Sequence, residues 1–240
     1  MPAPLDPALE PSSRAASERS RETQERLLEA AERLFAERGF DRTSMRALAR
    51  AAGTSVSAAH YHFGSKQGLL RATLLRRVEP VNRRRLERLE ALERDAAGGP
   101  LPLEAILEAF LRPALEVHAA GRAGPSPLRQ VAARLYSDPP ELVAALKREL
   151  FGPIGDRFVA ALARALPDRP REGVALGFQL SIGAMVHVIG GHVTGPGDSG
   201  HPHREISDEG LLRSLVAFAA AGLRASAVAG ASGASGGVAA

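Results

Sequence analysis

The chain has 240 residues, no cysteine, a formal net charge of +4 and 45% hydrophobic residues. That is enough apolar content for a buried core, and it leaves no thiol for a disulfide, a nucleophile or a metal ligand. Aromatic residues make up only 4%, with no tryptophan. Ala, Leu and Arg recur while β-branched runs are scarce, which argues against an extensive sheet and predicts an all-α protein. The basic balance matters only where the cations cluster.

Residues 1–19 carry Pro2, Pro4, Pro7 and Pro11 among small polar residues and are expected to form a disordered arm. The opening MPAPLDPALEPSS has neither the basic start nor the apolar core of a secretory leader, so a cytoplasmic location is expected. From Ser20, Leu27, Ala31, Leu34 and Phe35 recur at helical spacing until Gly39 stops the helix and Phe40 follows as a plug. A second helix is predicted over 43–51, capped by Thr43 or Ser44, with Met45, Leu48, Ala49 and then Ala52 facing inward. Ala52-Gly53-Thr54 forms the turn, and a third helix over 55–63 turns Val56, Ala59 and Phe63 to the same small core. The charged residues from 42 to 66 are Arg42, Arg46, Arg50 and Lys66, with no acid among them. Residues 20–66 therefore read as a compact, positively charged helix-turn-helix domain.

Ser65 is placed to cap a fourth helix with the apolar stripe Leu69, Leu70, Leu74, Leu75 and Val78. Pro80 interrupts this pattern, which resumes at Val81, Leu86, Leu89 and Leu92, so one kinked helix is expected, ending by 98–100. The arginines at 76, 77, 83, 84 and 85 are offset by Glu79, Glu87, Glu90 and Glu93 and read as a solvated face. Further helices are predicted over 101–120, with a kink at Pro113, then over 128–136, from Pro140 to about 166, over 171–194 and over 206–225. Together, 67–225 form a larger helical domain, and the low-complexity stretch 226–240 is expected to be a disordered tail. The apolar run 173–193 approaches membrane-spanning length but contains Gln179, Ser181, His187 and His192, so it reads as a buried or paired helix, with no membrane partner.

From about residue 23 to residue 75 the chain resembles the DNA-binding domain of the TetR (tetracycline-repressor) family of bacterial transcriptional regulators. The resemblance rests on LFAERGF closing the first helix, Thr43, the ALARAAG turn, Ser55, and HYHFGSK followed by a Leu-rich helix. Two positions depart from the family's commonest pattern: His60 precedes Tyr61, and Thr54 follows the turn glycine. The resemblance implies a homodimeric, ligand-responsive repressor on a near-palindromic double-stranded DNA operator. It also implies that the fourth helix joins the reader to a ligand-binding and dimerisation domain.

A helix entering a major groove presents its first residues to base edges, so Ser55, Val56, Ser57, Ala58 and His60 are candidates for sequence readout. Arg42, Thr43, Arg46, Tyr61 and Lys66 are candidates for phosphate contacts, and Ser44, Thr54 and His62 complete the DNA-facing set. The family further implies an effector pocket, for which Phe110, His118, Tyr136, Phe158, Phe178, Met185 and His187 are candidates, suited to a mainly apolar or aromatic molecule. A dimer face is implied on the last two helices, with Gly173, Gly177, Gly183, Ala184, Leu211, Leu215 and Phe218 as candidates. No cofactor is expected, and no phosphate-binding glycine loop, nucleophile elbow or paired-carboxylate motif suggests an enzyme. The contrasting reading is a metal-binding or metal-sensing protein using His187, His192, His201 and His203, whose spacing matches no standard site.

Overall fold

The structure is a computed structural model that describes residues 10–120, 140–189 and 207–225. Every regular element among them is an α-helix: α1 (Glu10–Arg38), α2 (Met45–Ala51), α3 (Val56–Phe63), α4 (Lys66–Asp95), α5 (Leu103–Ala120), α6 (Pro140–Ala165), α7 (Arg171–Ile189) and α8 (Asp208–Ala225). The predicted helix at 128–136, the segment after Ile189 and the tail from 226 lie outside the described residues. The chain divides into two compact units, with the boundary inside α4 between Val78 and Glu79.

The first unit is built on α1, whose Leu27, Ala31, Leu34 and Phe35 are buried. Phe40, tucked in after the helix stops, brings its ring centroid to 5.8 Å from that of Phe35. Leu48, Ala49, Ala52 and Ala59 complete the centre from α2 and α3, and Leu69, Leu70, Leu74 and Val78 close it from α4. Each fully buried leucine among them contributes roughly 1.5–3 kcal/mol through lost water contact. Arg77 of α4 grips Glu32 of α1 through both carboxylate oxygens, and Arg76 reaches Glu25 at 2.9 Å.

One expectation changes here. α1 begins at Glu10, so residues 10–19 are helical, not part of a disordered arm. Pro11 costs nothing in a first turn, and SRAASERSRE supplies helix-forming Ala, Glu and Arg at a density that the scattered serines conceal. α4 runs as one helix through Pro80, as the resumed periodicity predicts, with the proline at an exposed position. The missing N–H leaves the Arg76 carbonyl without its helical donor, one turn from the unit boundary.

In the second unit α5, α7 and α8 pack on one another, with Ile154, Phe158, Ala161 and Leu162 of α6 in the same core. Phe110 meets Phe178 at 4.7 Å and Phe158 at 5.0 Å, both edge-on, the favoured geometry for ring quadrupoles. Gly177 allows α7 to approach α8 closely, since a Cβ there would lie 2.8 Å from Leu223 Cδ2. Ion pairs fasten the rim: Arg112 of α5 bonds Glu209 of α8 at 2.8 and 3.0 Å, and Arg224 of α8 reaches Glu104 of α5 at 2.5 Å. The hydrogen bonds from these arginines hold the Glu209 and Glu104 carboxyls below their ordinary range. By length and composition α7 could cross a membrane, with a mean hydropathy of 1.4. Its Val174, Phe178, Met185 and Ile189 are instead buried within this core.

Candidate nucleic-acid interface

The α2–α3 corner is set by local chemistry. Ser44 caps α2, its side chain accepting from Ala47 N at 3.2 Å, and Ser55 caps α3, accepting from Ala58 N at 3.0 Å. Between them Gly53 takes φ +62°, and the bonds Thr54 N to Ala49 O and Gly53 N to Arg50 O close the turn in Schellman form. Ser65 repeats the capping device for α4 by accepting from Gly68 N at 3.0 Å.

On α3 the burial pattern separates the two faces. Ala59 is fully buried and Phe63 half-buried, whereas Val56, Ser57, His60 and Tyr61 are exposed and share the opposite face by helical spacing. Val56, at 38% exposure, is therefore a surface side chain and not the inward-facing one its spacing suggested. Ser55 is exposed at the helix entrance, with Thr54 and Ala58 half-buried beside it. Tyr61, at 85% exposure, projects furthest, and His62 lies half-buried with its ring edge-on to Tyr61 at 5.3 Å.

His60 faces solvent with Nδ1 2.8 Å from Gly64 O. A carbonyl only accepts, so Nδ1 carries the hydrogen and Nε2 of the neutral ring is left as an acceptor. Arg46 and Arg50 stand one turn apart on the exposed face of α2. Arg42, also exposed, donates Nε to Arg38 O at 2.9 Å, which ties it to the end of α1.

Two predicted phosphate contacts are placed differently from expectation. Thr43 is 1% exposed, and its hydroxyl donates to Gly39 O at 2.7 Å with Leu34 O at 3.3 Å, so it braces the α1–α2 loop from inside and presents nothing to a ligand. The capping role falls to Ser44 alone. Lys66 is half-buried: its Nζ donates to Phe40 O at 2.9 Å and lies 4.1 Å from the Phe40 ring centroid. One of its three donors is thus internal and two remain.

The arrangement is a short helix whose exposed face carries hydroxyl, imidazole and methyl groups, within a segment, 42–66, that holds four cationic side chains and no acid. A side-chain set of that kind suits base edges flanked by phosphates. The class of protein so defined is a helix-turn-helix DNA-binding protein. Residues 27–73 match the profile of bacterial regulatory proteins of the tetR family, and residues 108–222 match the tetracyclin repressor-like C-terminal domain. The chain belongs to the TetR family of transcriptional regulators.

No curated protein matches it in sequence. A TetR-family transcriptional regulator from Bordetella parapertussis 12822 is similar in structure, with a TM-score of 0.56 and 21% identity over 82% of this chain and 93% of that one. NalD, the secondary repressor of the MexAB-OprM multidrug efflux pump in Pseudomonas aeruginosa, gives 0.55 and 18% over 85% and 97%. SmeT, solved as a triclosan complex, gives 0.56 and 21% over 82% and 90%. Likeness at these identities establishes the fold.

The larger unit brings some predicted pocket residues together. Phe110, Phe158 and Phe178 form one buried cluster and Met185 is buried in the same core, while His118 is half-buried and His187 exposed; Tyr136 lies outside the described residues. Among the described residues no three His, Asp or Glu side chains group to hold a metal. His192, His201 and His203 fall outside them.

The residues predicted for a dimer face differ in exposure. Gly173, Gly177 and Leu215 are buried within the chain's own core, where α7 and α8 meet. Gly183, Ala184 and Leu211 are half-buried, and Phe218 is 64% exposed. Leu176 and Leu180, one turn apart on α7 and not among the predicted residues, are 54% and 64% exposed. Each stands three residues after an inward glycine, Gly173 or Gly177, a spacing that keeps side chains near one face, so the helical period gave no signal of their exposure.

Proposed function

We propose that this protein is a cytoplasmic, ligand-responsive repressor that binds a near-palindromic operator as a homodimer. The observation that carries the reading is the exposed face of α3, with Val56, Ser57, His60 and Tyr61 outward and no acid between Arg42 and Lys66. Ser57, His60 and Val56 read base edges, with Ser55, Thr54 and Ala58 at the groove entrance. Tyr61, Arg42, Arg46, Ser44 and the two open donors of Lys66 meet phosphates, and His62 supports Tyr61 from behind.

Dimerisation uses Leu176, Leu180 and Phe218, three large apolar side chains that solvent otherwise covers. Repression and effector response are supported by folds shared with a repressor, NalD, and with SmeT in its triclosan complex. The effector site lies in the larger unit near the phenylalanine cluster, and α4, common to both units, conveys occupancy to the reader.

The test is fluorescence anisotropy of the purified protein on duplexes from its own upstream region and on a selected duplex pool, at low salt. Saturable binding with a two-fold symmetric footprint is expected. Absence of binding to every duplex overturns the reading.

A further inference from the structure

Four polar or charged side chains are buried among the described residues: Thr43, Thr73, Ser181 and Arg85. The first three are hydroxyls that donate to carbonyls nearby in the chain, Thr73 to Leu69 O and Ser181 to Gly177 O among them. Arg85 alone brings a full charge into the core, at 2% exposure. Its sequence neighbours behave as expected of a solvated face, Arg83 being exposed beside Glu87 and Arg84 exposed as well. Arg85 sits four residues from both Val81 and Leu89, each buried, and so belongs to the inner stripe of α4.

Its partners are all neutral. Nε donates to Phe110 O at 2.8 Å, Nη1 to Asn82 Oδ1 at 3.0 Å, and Nη2 lies 3.6 Å from Met185 Sδ. The guanidinium carbon stands 3.8 Å from the Phe110 ring centroid, where the ring face offsets part of the charge. Five carboxylates of the same unit are engaged elsewhere: Glu93 with Arg157 and Arg164, Glu104 with Arg224, Glu108 and Glu209 with Arg112, Glu116 with Arg88. Those surface arginines meet carboxylates, whereas Arg85 meets none among the described residues. Burial pushes the Arg85 guanidinium down to about 9, which still leaves it cationic at neutral pH.

A guanidinium has five N–H donors, and three are accounted for, so one hydrogen on each of Nη1 and Nη2 has no partner among the described residues. Two terminal nitrogens with open donors are what a carboxylate bridges. Beside them stand the Phe110, Phe158 and Phe178 rings and the adaptable Met185 thioether, a surround for an apolar body and not for a polar one. An uncompensated buried cation is costly to keep, and pairing removes that cost.

We infer that Arg85 is the anion-recognition centre of the effector site, and that the effector is a monocarboxylate with an apolar or aromatic body. The inference rests on the effector-responsive reading above and names its ligand class. The route to a response is short. Asn82, which accepts from Arg85, also donates to Leu150 O of α6 at 2.8 Å, so a carboxylate that draws Arg85 away loosens ties from α4 to α5, α6 and α7 together.

The experiment is calorimetry on the full chain without DNA, using benzoate and octanoate against benzamide and octanamide. Each acid is expected to bind about 10-fold or more tightly than its amide, the scale of a charge-assisted bidentate contact. Arg85→Met should abolish that preference while melting no lower than wild type, because an unpaired buried charge is replaced by a side chain of similar length. Arg85→Lys should retain part of the preference. Equal binding of acid and amide to wild type, no binding of either acid, or an unchanged preference in Arg85→Met each overturns the assignment. Operator anisotropy with and without acid is read separately: lack of DNA binding defeats the repressor reading and leaves the calorimetric result standing.

Discussion

Lys66 gives the sharpest test of how the reader is held, because the structure assigns it an internal role that a pure phosphate contact does not have. Its Nζ donates to Phe40 O at 2.9 Å and stands 4.1 Å from the Phe40 ring centroid, pinning the start of α4 to the loop after α1. Lys66→Met keeps the apolar stem and removes both interactions. A hydrogen bond from a charged donor is worth about 1.5 kcal/mol at the lower end, the appropriate end for a half-buried group. The cation–π contact adds about 0.5 kcal/mol. A loss of about 2 kcal/mol corresponds to a fall in melting temperature of roughly 4–8 °C for a chain of this size. If the two remaining donors also bind phosphate, the slope of log K against log salt drops by about 0.9 per contact, equally on every sequence. Thermal melts and anisotropy at several salt concentrations read both effects. A reduced salt slope with an unchanged melting temperature refutes the internal role.

Gly68→Ala places a Cβ 2.1 Å from Phe63 O, a backbone atom with nowhere to go. Overpacking of about 1–3 kcal/mol or more outweighs the gain of about 1 kcal/mol in helix propensity, so the urea midpoint and operator affinity both fall. Gly177→Ala meets only the flexible end of Leu223, at 2.8 Å, and should change the midpoint far less; equal effects of the two would sink the distinction. His60→Ala and Ser57→Ala are expected to alter base preference in duplex selection, and uniform weakening with preference intact counts against direct readout. Leu180→Glu together with Phe218→Glu should convert the proposed dimer to monomer in sedimentation velocity with helicity unchanged, and a persisting dimer places the interface elsewhere.

The helices, their stops and the reader were legible because their signals are local. Gly39 and the Gly53 turn end helices through their own backbone, and Ser44, Ser55 and Ser65 cap through bonds to residues three positions on. What the sequence conceals is partnership across the chain. Lys66 bonds a carbonyl twenty-six residues away and Arg85 one twenty-five away. Thr43 is hidden by a Leu34 carbonyl that no spacing rule connects to it.

Arg85 is the instructive case, because composition and period disagreed about it. As one of three consecutive arginines beside four glutamates it reads as solvated, while its offset of four from Val81 and Leu89 places it inside. The helix resolves the conflict in favour of period, since a rigid 3.6-residue repeat cannot rotate one position outward without carrying its neighbours. The charge then has to be met where the helix puts it. Phe110 O, Asn82 and the Phe110 ring meet it only in part, and that shortfall is what gives a carboxylate reason to bind there.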